Sequence, residues 1–323
     1  MSAVPERGSR GVTVRAPAKI NLHLGVGPVR DDGFHPLVTV YQAIGLYDDV
    51  TATPAAAGEG WTVHTVADAH IDLATVPDDS TNIAVRAGRA LVAHHGRPEL
   101  VAHLEIHKGI PVAGGMAGGS ADAAAALIAV DRLFDLQTSD EDLLVLAAEL
   151  GSDVPFALIG GTAVGTGRGE IVEPVDDATQ MWWLVVPHEI GLSTPAVYRH
   201  LDQMGSEGRL LVSDPVVPDA MLGALAAGDS AQVAALLHND LADAAFDLRP
   251  DLVAIRDQIA AVAAPEAVLL SGSGPTLLGL VAGIEQARAA AARLTEAGLT
   301  HWLAPAPVAG AHVLKTTDEN QTV

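Results

Sequence analysis

The stretch Pro111-Val112-Ala113-Gly114-Gly115-Met116-Ala117-Gly118-Gly119-Ser120 runs directly into an alanine-rich segment that ends near Phe134. In that segment Leu127, Val130 and Leu133 recur at helical spacing, which predicts a helix over 120–134. Glycines let backbone N–H groups turn toward a ligand, and a helix N-terminus adds donors and partial positive charge. The loop therefore suits a polyphosphate, although a tight strand-to-helix connection explains it equally well.

The loop matches neither of the two common phosphate-binding motifs. It is not a Walker A loop, because no Gly-Lys-Ser/Thr follows its glycines. It is not the dinucleotide fingerprint, because the glycine spacing differs and no acidic residue closes the following strand in the expected place. A different class of nucleotide or phosphate site is expected.

A lysine among apolar residues marks the second informative stretch, Ala16-Pro17-Ala18-Lys19-Ile20-Asn21-Leu22. Apolar and polar residues alternate from Thr13 to Val26, which predicts a strand with Lys19 and Asn21 on one face. Burying an ammonium without a partner is costly, so Lys19 is a candidate functional residue. The alternative is an edge-strand lysine that reaches solvent.

Two further stretches have both a structural and a functional interpretation. Asp153, in Leu150-Gly151-Ser152-Asp153-Val154-Pro155-Phe156, suits a helix N-cap or a carboxylate that a nearby ammonium keeps ionised in a cleft. The glycines of Leu270-Ser271-Gly272-Ser273-Gly274-Pro275-Thr276 indicate a hairpin turn or a close approach of the backbone to a ligand.

Strands and helices mix without strict alternation along the chain, which predicts an α+β fold. A length of 323 residues favours two domains, with the boundary at 174–179, where the chain turns polar. Aromatic residues make up 3%, so a core of Ala, Val, Leu and Ile is expected. The other predicted elements are strands over 37–46, 100–108, 182–186 and 268–281, and helices over 81–95, 139–150, 218–241, 252–263 and 284–297.

The composition excludes several function classes. The formal net charge of −22 repels phosphate backbones, so we expect no nucleic-acid partner, and an anionic ligand needs local positive groups. The absence of cysteine excludes disulfides, thiolate catalysis and cysteine-ligated zinc. No signal-peptide pattern and no apolar stretch of roughly 20 residues occurs, which predicts a soluble cytoplasmic protein without a membrane span.

These four stretches, in this order and together with Asp32-Gly33-Phe34-His35, resemble the GHMP kinases. The resemblance extends from about Val14 to Leu280, and it is strongest to the members that act on a cytidine-diphosphate-linked polyol. It implies a two-domain fold: an N-terminal mixed-sheet domain over 1–178 that carries the phosphate loop and catalytic pair, and a C-terminal α/β sandwich domain over 179–323. The implied reaction is ATP-dependent phosphorylation of the 2-hydroxyl of a cytidine-diphosphate-linked methylerythritol, in non-mevalonate isoprenoid biosynthesis.

The resemblance also implies roles for individual residues. Asp153 would be the general base, and Lys19 would keep it ionised and offset charge on the transferring phosphoryl group. The implied ATP-binding residues are Asn82, Lys108, Pro111, Val112, Ala113, Gly114, Gly115, Met116, Ala117, Gly118, Gly119, Ser120 and Ala121. The implied substrate-binding residues are Asn21, Phe34, His35, Tyr198, Gly272 and Ser273, with His35 on the cytosine edge and Phe34 and Tyr198 on its two faces.

The loop departs from the family pattern at three positions. Ala113 and Ala117 stand where the family often has glycine, and Met116 stands where leucine is usual. Both alanines are expected to have negative φ, because an L side chain rarely adopts positive φ. Magnesium is implied by ATP chemistry with unassigned ligands, Ser120 being a weak candidate. A monomer or a homodimer is expected.

Two alternatives remain open at this point. The chain is either a different GHMP kinase, acting on homoserine, mevalonate or a sugar, or a GHMP-fold module that binds a ligand without catalysis. An aliphatic substrate needs no aromatic clamp, and a binding module needs neither Lys19 nor Asp153, so both are less favoured. Core packing is the alternative role for Phe34 and Tyr198.

Overall fold

A long antiparallel hairpin organises the first sheet of the computed structural model, which describes residues 11–317 except 57, 70, 113 and 189. Its strands are β1 (Gly11–Val26) and β2 (Leu37–Pro54). The alternation in β1 buries Ala18, Ile20 and Leu22 completely, as the period of two requires. The turn predicted at residues 31–33 joins the two strands, and Gly33 supplies the positive φ that it needs.

The first sheet is mixed, as predicted for the N-terminal part of the chain. Its strand order is β12-β1-β2-β4-β3; β5 pairs with β2, β6 with β5, and β8 with β1. The β3–β4 and β1–β8 pairs are parallel, whereas the others are antiparallel. The added strands are β3 (Thr62–Ala67), β4 (Ala102–Lys108), β5 (Thr162–Thr166), β6 (Ile171–Pro174), β8 (His238–Asn239) and β12 (His312–Thr317).

The second sheet is antiparallel and has the order β11-β7-β10-β9. Its strands are β7 (Met181–Val186), β9 (Ala267–Leu270), β10 (Leu277–Val281) and β11 (Trp302–Ala306). Alternation in β7 sends Trp183 and Val185 into the core shared with the first sheet, while Leu184 and Val186 face a second core. The second sheet is therefore covered on both faces.

Ten helices in the described residues cover these sheets. They are α1 (Ile83–His94), α2 (Gly118–Phe134), α3 (Asp140–Leu150), α4 (Val154–Ile159), α5 (Thr194–Ser206), α6 (Asp219–Ala227), α7 (Ser230–Leu236), α8 (Ala242–Leu248), α9 (Asp251–Ala263) and α10 (Ile284–Glu296). No helix in this described part of the chain is long and apolar enough to cross a membrane.

Helix α2 is central, because its alanines let it lie close against the first sheet. Ala123, Ala126 and Leu127 are fully buried in the main core, where a buried leucine contributes about 2 kcal/mol. The core of small aliphatic residues expected from the composition is confirmed. Because α2 follows the glycine-rich loop directly, its buried position also sets the position of the loop.

The predicted single helix over 218–241 was wrong. The structure has two short helices, α6 and α7, followed by β8. Gly228, with φ of +71°, ends α6, and the Asp229 side chain accepts a hydrogen bond from Gln232 N (3.0 Å) to start α7. The Gly-Asp pair contained the stop and start signals that break the helix.

The predicted domain boundary at 178 stays a prediction. All four strands of the second sheet lie after residue 180, in agreement with that division. However, β8 and β12 also lie after residue 180, and both pair with β1 in the first sheet.

Candidate active site

A cleft of about 910 Å³ opens between the two sheets. Its walls come from the β1–β2 hairpin, the glycine-rich loop, the segment between α3 and α4, helix α5 and the β9–β10 turn. All of the catalytic and substrate-binding residues expected from the sequence line it. Among the residues that line it are Lys19, Asn21, Phe34, His35, Gly115, Ala117, Asp153, Tyr198, Gly272 and Ser273.

Lys19 and Asp153 meet in this cleft. The distance from Lys19 Nζ to Asp153 Oδ2 is 3.6 Å, and the Lys19 side chain is 10% exposed. Lys19 also donates a hydrogen bond to Asn21 Oδ1 (2.9 Å), and Asn21 donates to Thr39 Oγ1 (2.8 Å). The shared face of Lys19 and Asn21 is confirmed, and the partner that a buried ammonium requires is Asp153.

The backbone around Asp153 leaves its carboxylate free to face the cleft. Asp153 occupies the N-cap position of α4, but its side chain makes no capping hydrogen bond. Ser139, in contrast, caps α3 as predicted, by accepting a hydrogen bond from Asp142 N (3.1 Å). The simple capping alternative for Asp153 is therefore not supported.

Sequence reasoning missed Tyr41, which orients Asp153. The Tyr41 hydroxyl donates a hydrogen bond to Asp153 Oδ1 (3.0 Å), and its ring stacks on Phe156 with centroids 4.9 Å apart. Burial, followed by the nearby Asp153 charge, raises the pKa of Tyr41 well above its ordinary value, so the hydroxyl stays protonated. Tyr41 lies directly opposite Asn21 in the hairpin. Knowledge of the β1–β2 pairing register would therefore have placed Tyr41 next to the site.

The glycine-rich loop reaches the cleft through Gly115 and Ala117. The expectation of a negative φ at Ala117 was wrong: its φ is +57° and its ψ is +36°. This left-handed conformation costs an alanine about 1–2 kcal/mol, and it places the residue at the start of α2. Ala113 lies outside the described residues.

The other expected nucleotide-binding residues of the loop lie on either side of Gly115 and Ala117. Among them Pro111, Gly114, Met116 and Ala121 are buried, Val112, Gly118 and Ser120 are half-buried, and Gly119 is exposed. Met116 O accepts a hydrogen bond from Lys19 N (3.2 Å), so the loop is attached to β1 at Lys19. Their contact with ATP stays a prediction.

Lys108 is buried behind the loop instead of lining the cleft. Its Nζ donates to Asp122 Oδ2 (2.7 Å) and to Asp48 Oδ2, and Asp48 Oδ1 accepts from Gly109 N and Ile110 N. Burial raises the pKa of Asp122 well above its usual range, although Lys108 opposes that shift. A Cβ on Gly118 would lie 3.1 Å from Lys108 Nζ. The cluster of Asp48, Lys108 and Asp122 therefore packs directly against the backbone of the glycine-rich loop.

Asn82 also has a structural role. It caps α1 by accepting a hydrogen bond from Ala84 N (2.9 Å), and it donates one to Pro77 O (2.7 Å). For Asn82 and Lys108 the predicted nucleotide contact stays a prediction.

Aromatic residues gather at the far end of the cleft. Phe34 is 50% exposed, with the Arg168 guanidinium 5.1 Å from its ring centroid, so it is not a core residue. Tyr198 packs against His35 with ring centroids 5.0 Å apart, and His35 Nε2 lies 2.9 Å from Asp202 Oδ1. The site therefore offers ring surfaces and polar groups where a nucleobase was expected.

The β9–β10 turn closes the cleft beside Lys19. Gly272 has φ of +54°, and a Cβ there would lie 3.5 Å from Asn21 Oδ1 and 3.8 Å from Lys19 Nζ. The Ser273 hydroxyl lies 2.7 Å from Thr194 Oγ1, at the start of α5. The hairpin-turn interpretation of the Gly272–Gly274 segment is confirmed, because β9 and β10 pair on either side of it, and the close approach of its backbone to a ligand stays a prediction.

Comparison with known proteins defines the class. Residues 82–161 match the family described as "GHMP kinases N terminal domain". A homoserine kinase from Cytophaga hutchinsonii has a similar fold, with a TM-score of 0.70 at 16% identity over 97% of this chain and 99% of that chain. The fold is that of the GHMP kinases.

Closer relatives define the family within that class. A 4-diphosphocytidyl-2-C-methyl-D-erythritol kinase of Nocardioides sp. is 57% identical over 93% of this chain and 99% of its own length, and one of Streptomyces avermitilis is 48% identical over 94% and 99%. A solved structure of such a kinase has a TM-score of 0.73 at 31% identity, over 92% of this chain and 99% of that chain. The chain belongs to the 4-diphosphocytidyl-2-C-methyl-D-erythritol kinase family.

Proposed function

We propose that this chain transfers the γ-phosphate of ATP to the 2-hydroxyl of 4-diphosphocytidyl-2-C-methyl-D-erythritol, in non-mevalonate biosynthesis of isopentenyl diphosphate. The observation that carries the proposal is the Lys19–Asp153 pair, which lies between a glycine-rich loop at a helix N-terminus and an aromatic recess. The family relationship supports the same substrate.

Asp153 acts as the general base. It takes the proton of the 2-hydroxyl as the oxygen forms its bond to the γ-phosphorus and the bond to the departing ADP oxygen breaks. The hydrogen bond from Tyr41 holds one carboxylate oxygen, so the other, beside Lys19, faces the acceptor. General-base assistance of this kind contributes roughly 10²–10⁴-fold to a rate.

Lys19 stabilises negative charge on the transferring phosphoryl group. Phosphoryl transfer has a loose transition state, so positioning and charge stabilisation supply most of the acceleration. The hydrogen bond from Lys19 to Asn21 fixes the direction of the ammonium before substrate binds. The N-terminus of α2 supplies backbone donors for the ATP phosphates.

Magnesium would arrive with ATP. Within residues 11–317, apart from the four omitted positions, no group of three or more His, Asp or Glu residues could hold a metal ion. Asp48 Oδ2 and Asp122 Oδ2 both accept hydrogen bonds from Lys108, and the half-buried Ser120 offers a hydroxyl near the loop. These residues fit a magnesium ion held mainly by phosphate oxygens and water, which would neutralise phosphate charge.

The cytidine end of the substrate is assigned to Phe34, His35 and Tyr198. Stacking of a base on aromatic rings contributes about 1–3 kcal/mol per base. The half-exposed Phe34 ring is available for such a contact, because it is not part of the core. We also propose a cytoplasmic location, because the reaction consumes ATP.

An ATP-turnover assay with a panel of acceptors tests the proposal. We expect turnover with the cytidyl polyol and negligible turnover with homoserine, mevalonate or galactose. The Asp153→Asn variant should lose transfer by roughly 10²-fold or more while a non-hydrolysable ATP analogue still binds in titration calorimetry. Preference for one of the other acceptors, or an active Asp153→Asn variant, would contradict the proposal.

A further inference from the structure

Asn239 links the two sheets beside the cleft. It lies in β8, which pairs in parallel with His23 and Leu24 of β1. Its side chain is 8% exposed, and its amide nitrogen donates to Leu270 O (2.9 Å) and Gly272 O (2.7 Å). Both hydrogens of the amide group are therefore directed at the connection between β9 and β10.

The acceptor side of the same amide is also occupied. Asn239 Oδ1 accepts a hydrogen bond from Leu241 N (2.9 Å), at the start of the segment that leads into α8. Backbone pairing attaches β8 to the first sheet, because His238 and Asn239 pair with His23 and Leu24 and the Asp240 backbone N donates to Leu24 O (2.9 Å). Asn239 is thus held by β1 while it holds the β9–β10 turn.

The turn that Asn239 holds borders both halves of the reaction site. Gly272 lies beside Asn21 and Lys19, and a Cβ there would be in van der Waals contact with both side chains and 3.3 Å from Gly115 O. On its other side, the Ser271 hydroxyl donates to Gly115 O (3.2 Å) in the glycine-rich loop. A displacement of this turn would therefore change the shape of the cleft beside Lys19 and loosen the loop.

We propose that Asn239 is a positioning residue, which fixes the β9–β10 turn against Lys19 and the glycine-rich loop so that acceptor and γ-phosphate are aligned. This inference rests on the proposed function. Asn239 acts through Gly272 and does not itself line the cleft. An asparagine suits the task because its one side-chain nitrogen donates to two carbonyl groups. An aspartate of the same shape would place a carboxylate oxygen against these carbonyl oxygens, with no hydrogen to share.

The test compares Asn239→Ala and the isosteric Asn239→Asp with a neighbouring control, Asp240→Ala. The control keeps the backbone pairing of β8 and loses the two side-chain contacts of Asp240, which are a hydrogen bond from Val26 N (2.8 Å) and an ion pair with His238 Nε2 (2.7 Å). Neither of them involves the turn. We expect kcat to fall about tenfold or more in both Asn239 variants, since two hydrogen bonds to the turn are lost, and to stay within about twofold of wild type in Asp240→Ala. Thermal unfolding shows whether all three variants are folded. If Asn239→Ala is not folded, the isosteric Asn239→Asp variant provides the test.

Amide hydrogen exchange measured by mass spectrometry gives a readout that does not depend on catalysis. Exchange in the peptide covering 271–274 should be faster in Asn239→Ala than in wild type and unchanged in Asp240→Ala. Unchanged exchange at the turn with wild-type kcat in the Asn239 variants would overturn the inference, and so would an equal loss of kcat in Asp240→Ala. A wild-type protein that does not phosphorylate the cytidyl polyol would instead refute the proposed function, and the exchange result would still decide the role of Asn239.

Discussion

At the scale of single residues, the reaction site consists of an ion pair with a hydrogen bond on each side. Lys19 is held by Asn21, and Asp153 is held by Tyr41. Both supporting residues come from the same hairpin, so the orientation of the pair depends on a rigid element. A pair fixed before substrate binds needs no reorganisation during the reaction.

Replacing Tyr41 with phenylalanine tests the orientation of Asp153. The Tyr41→Phe variant keeps the ring that stacks on Phe156 and loses the hydrogen bond to the carboxylate. Because a hydrogen bond to a charged group contributes about 1.5–3 kcal/mol, we expect kcat to fall about tenfold or more. Steady-state kinetics should show the KM for ATP within about twofold of wild type.

Tyr47 provides the matched control for that prediction. It lies in the same strand, half-buried, with the Arg15 guanidinium 5.0 Å from its ring centroid, and it does not line the cleft. Tyr47→Phe should have the kcat of wild type. If Tyr41→Phe retains full kcat and loses only thermal stability, the hydroxyl serves folding.

Ala117 illustrates a conflict between local preference and site geometry. Its left-handed backbone is unfavourable for an L residue, yet α2 and the loop hold it there. Backbone strain of this kind often occurs at ligand-binding sites, because the surrounding structure imposes the required geometry. The sequence could not indicate this conformation, since alanine ordinarily predicts the opposite sign of φ.

At the scale of secondary-structure elements, β8 pairs with β1 within the first sheet, and two histidines meet at this contact. His23 and His238 are register partners, with ring centroids 5.2 Å apart. Burial, and after it the nearby His238, lowers the pKa of His23 from 6.5 to about 4. The folded protein therefore keeps His23 neutral in a pH range where the unfolded chain protonates it.

A loss of stability on acidification follows from this lowered pKa. Between pH 6.5 and about 4 the unfolded chain binds a proton that the folded protein does not, so the His23 contribution is present above pH 6.5 and is lost as the pH falls. In His23→Gln we expect the loss between about pH 7 and about pH 5 to be smaller by on the order of 1 kcal/mol, allowing for partial exposure. Urea denaturation at the two pH values measures the difference.

His64→Gln, an exposed substitution on β3, is the control for the His23 variant. It should show the same dependence on pH as wild type. Identical pH dependence in wild type and His23→Gln would mean that His23 titrates alike in the folded and unfolded states.

Most elements that the sequence predicted are present, because alternation and capping signals are local. Helix α3 with Ser139 and Gly151 at its ends, and β1 with its polar face, follow from neighbouring residues alone. The cluster of Asp48, Lys108 and Asp122 could not be predicted in this way, because Asp48 and Lys108 are 60 positions apart. Nor could the pairing of Tyr41 with Asn21, which depends on register shifts in β1 between Pro17 and Ala18 and between Asn21 and His23.

At the scale of the whole molecule, a net charge of −22 coexists with a site for polyanions. Lys19, Arg168 and Arg199 line the cleft together with Glu149, Asp153 and Asp202, so the formal charges of its lining balance although the chain as a whole is strongly acidic. The acidic side chains elsewhere repel other anions at long range. The sequence alone indicated that an anionic ligand needs local positive groups, because the chain has 40 acidic and 18 basic residues.

The same charge predicts that salt stabilises the folded protein. Raising the ionic strength from about 0.01 M to about 0.15 M shortens the Debye length from about 30 Å to about 8 Å, which screens repulsion among the acidic side chains. We expect the melting temperature to rise over this range, as measured by circular dichroism. A melting temperature that falls with added salt would mean that attractive ion pairs outweigh the net repulsion.

The return of β8 and β12 to the first sheet has a consequence for biosynthesis. β12 covers one edge of β1 over Gly11–Arg15, so the backbone groups there lack these partners until translation has passed residue 317. A nascent chain that has emerged only as far as the second sheet displays an open strand edge, which is a template for aggregation. The ribosome-bound intermediate is therefore the state in which this enzyme would depend most on chaperones. A stop codon before β12 removes only the end of the chain, yet it should severely impair folding.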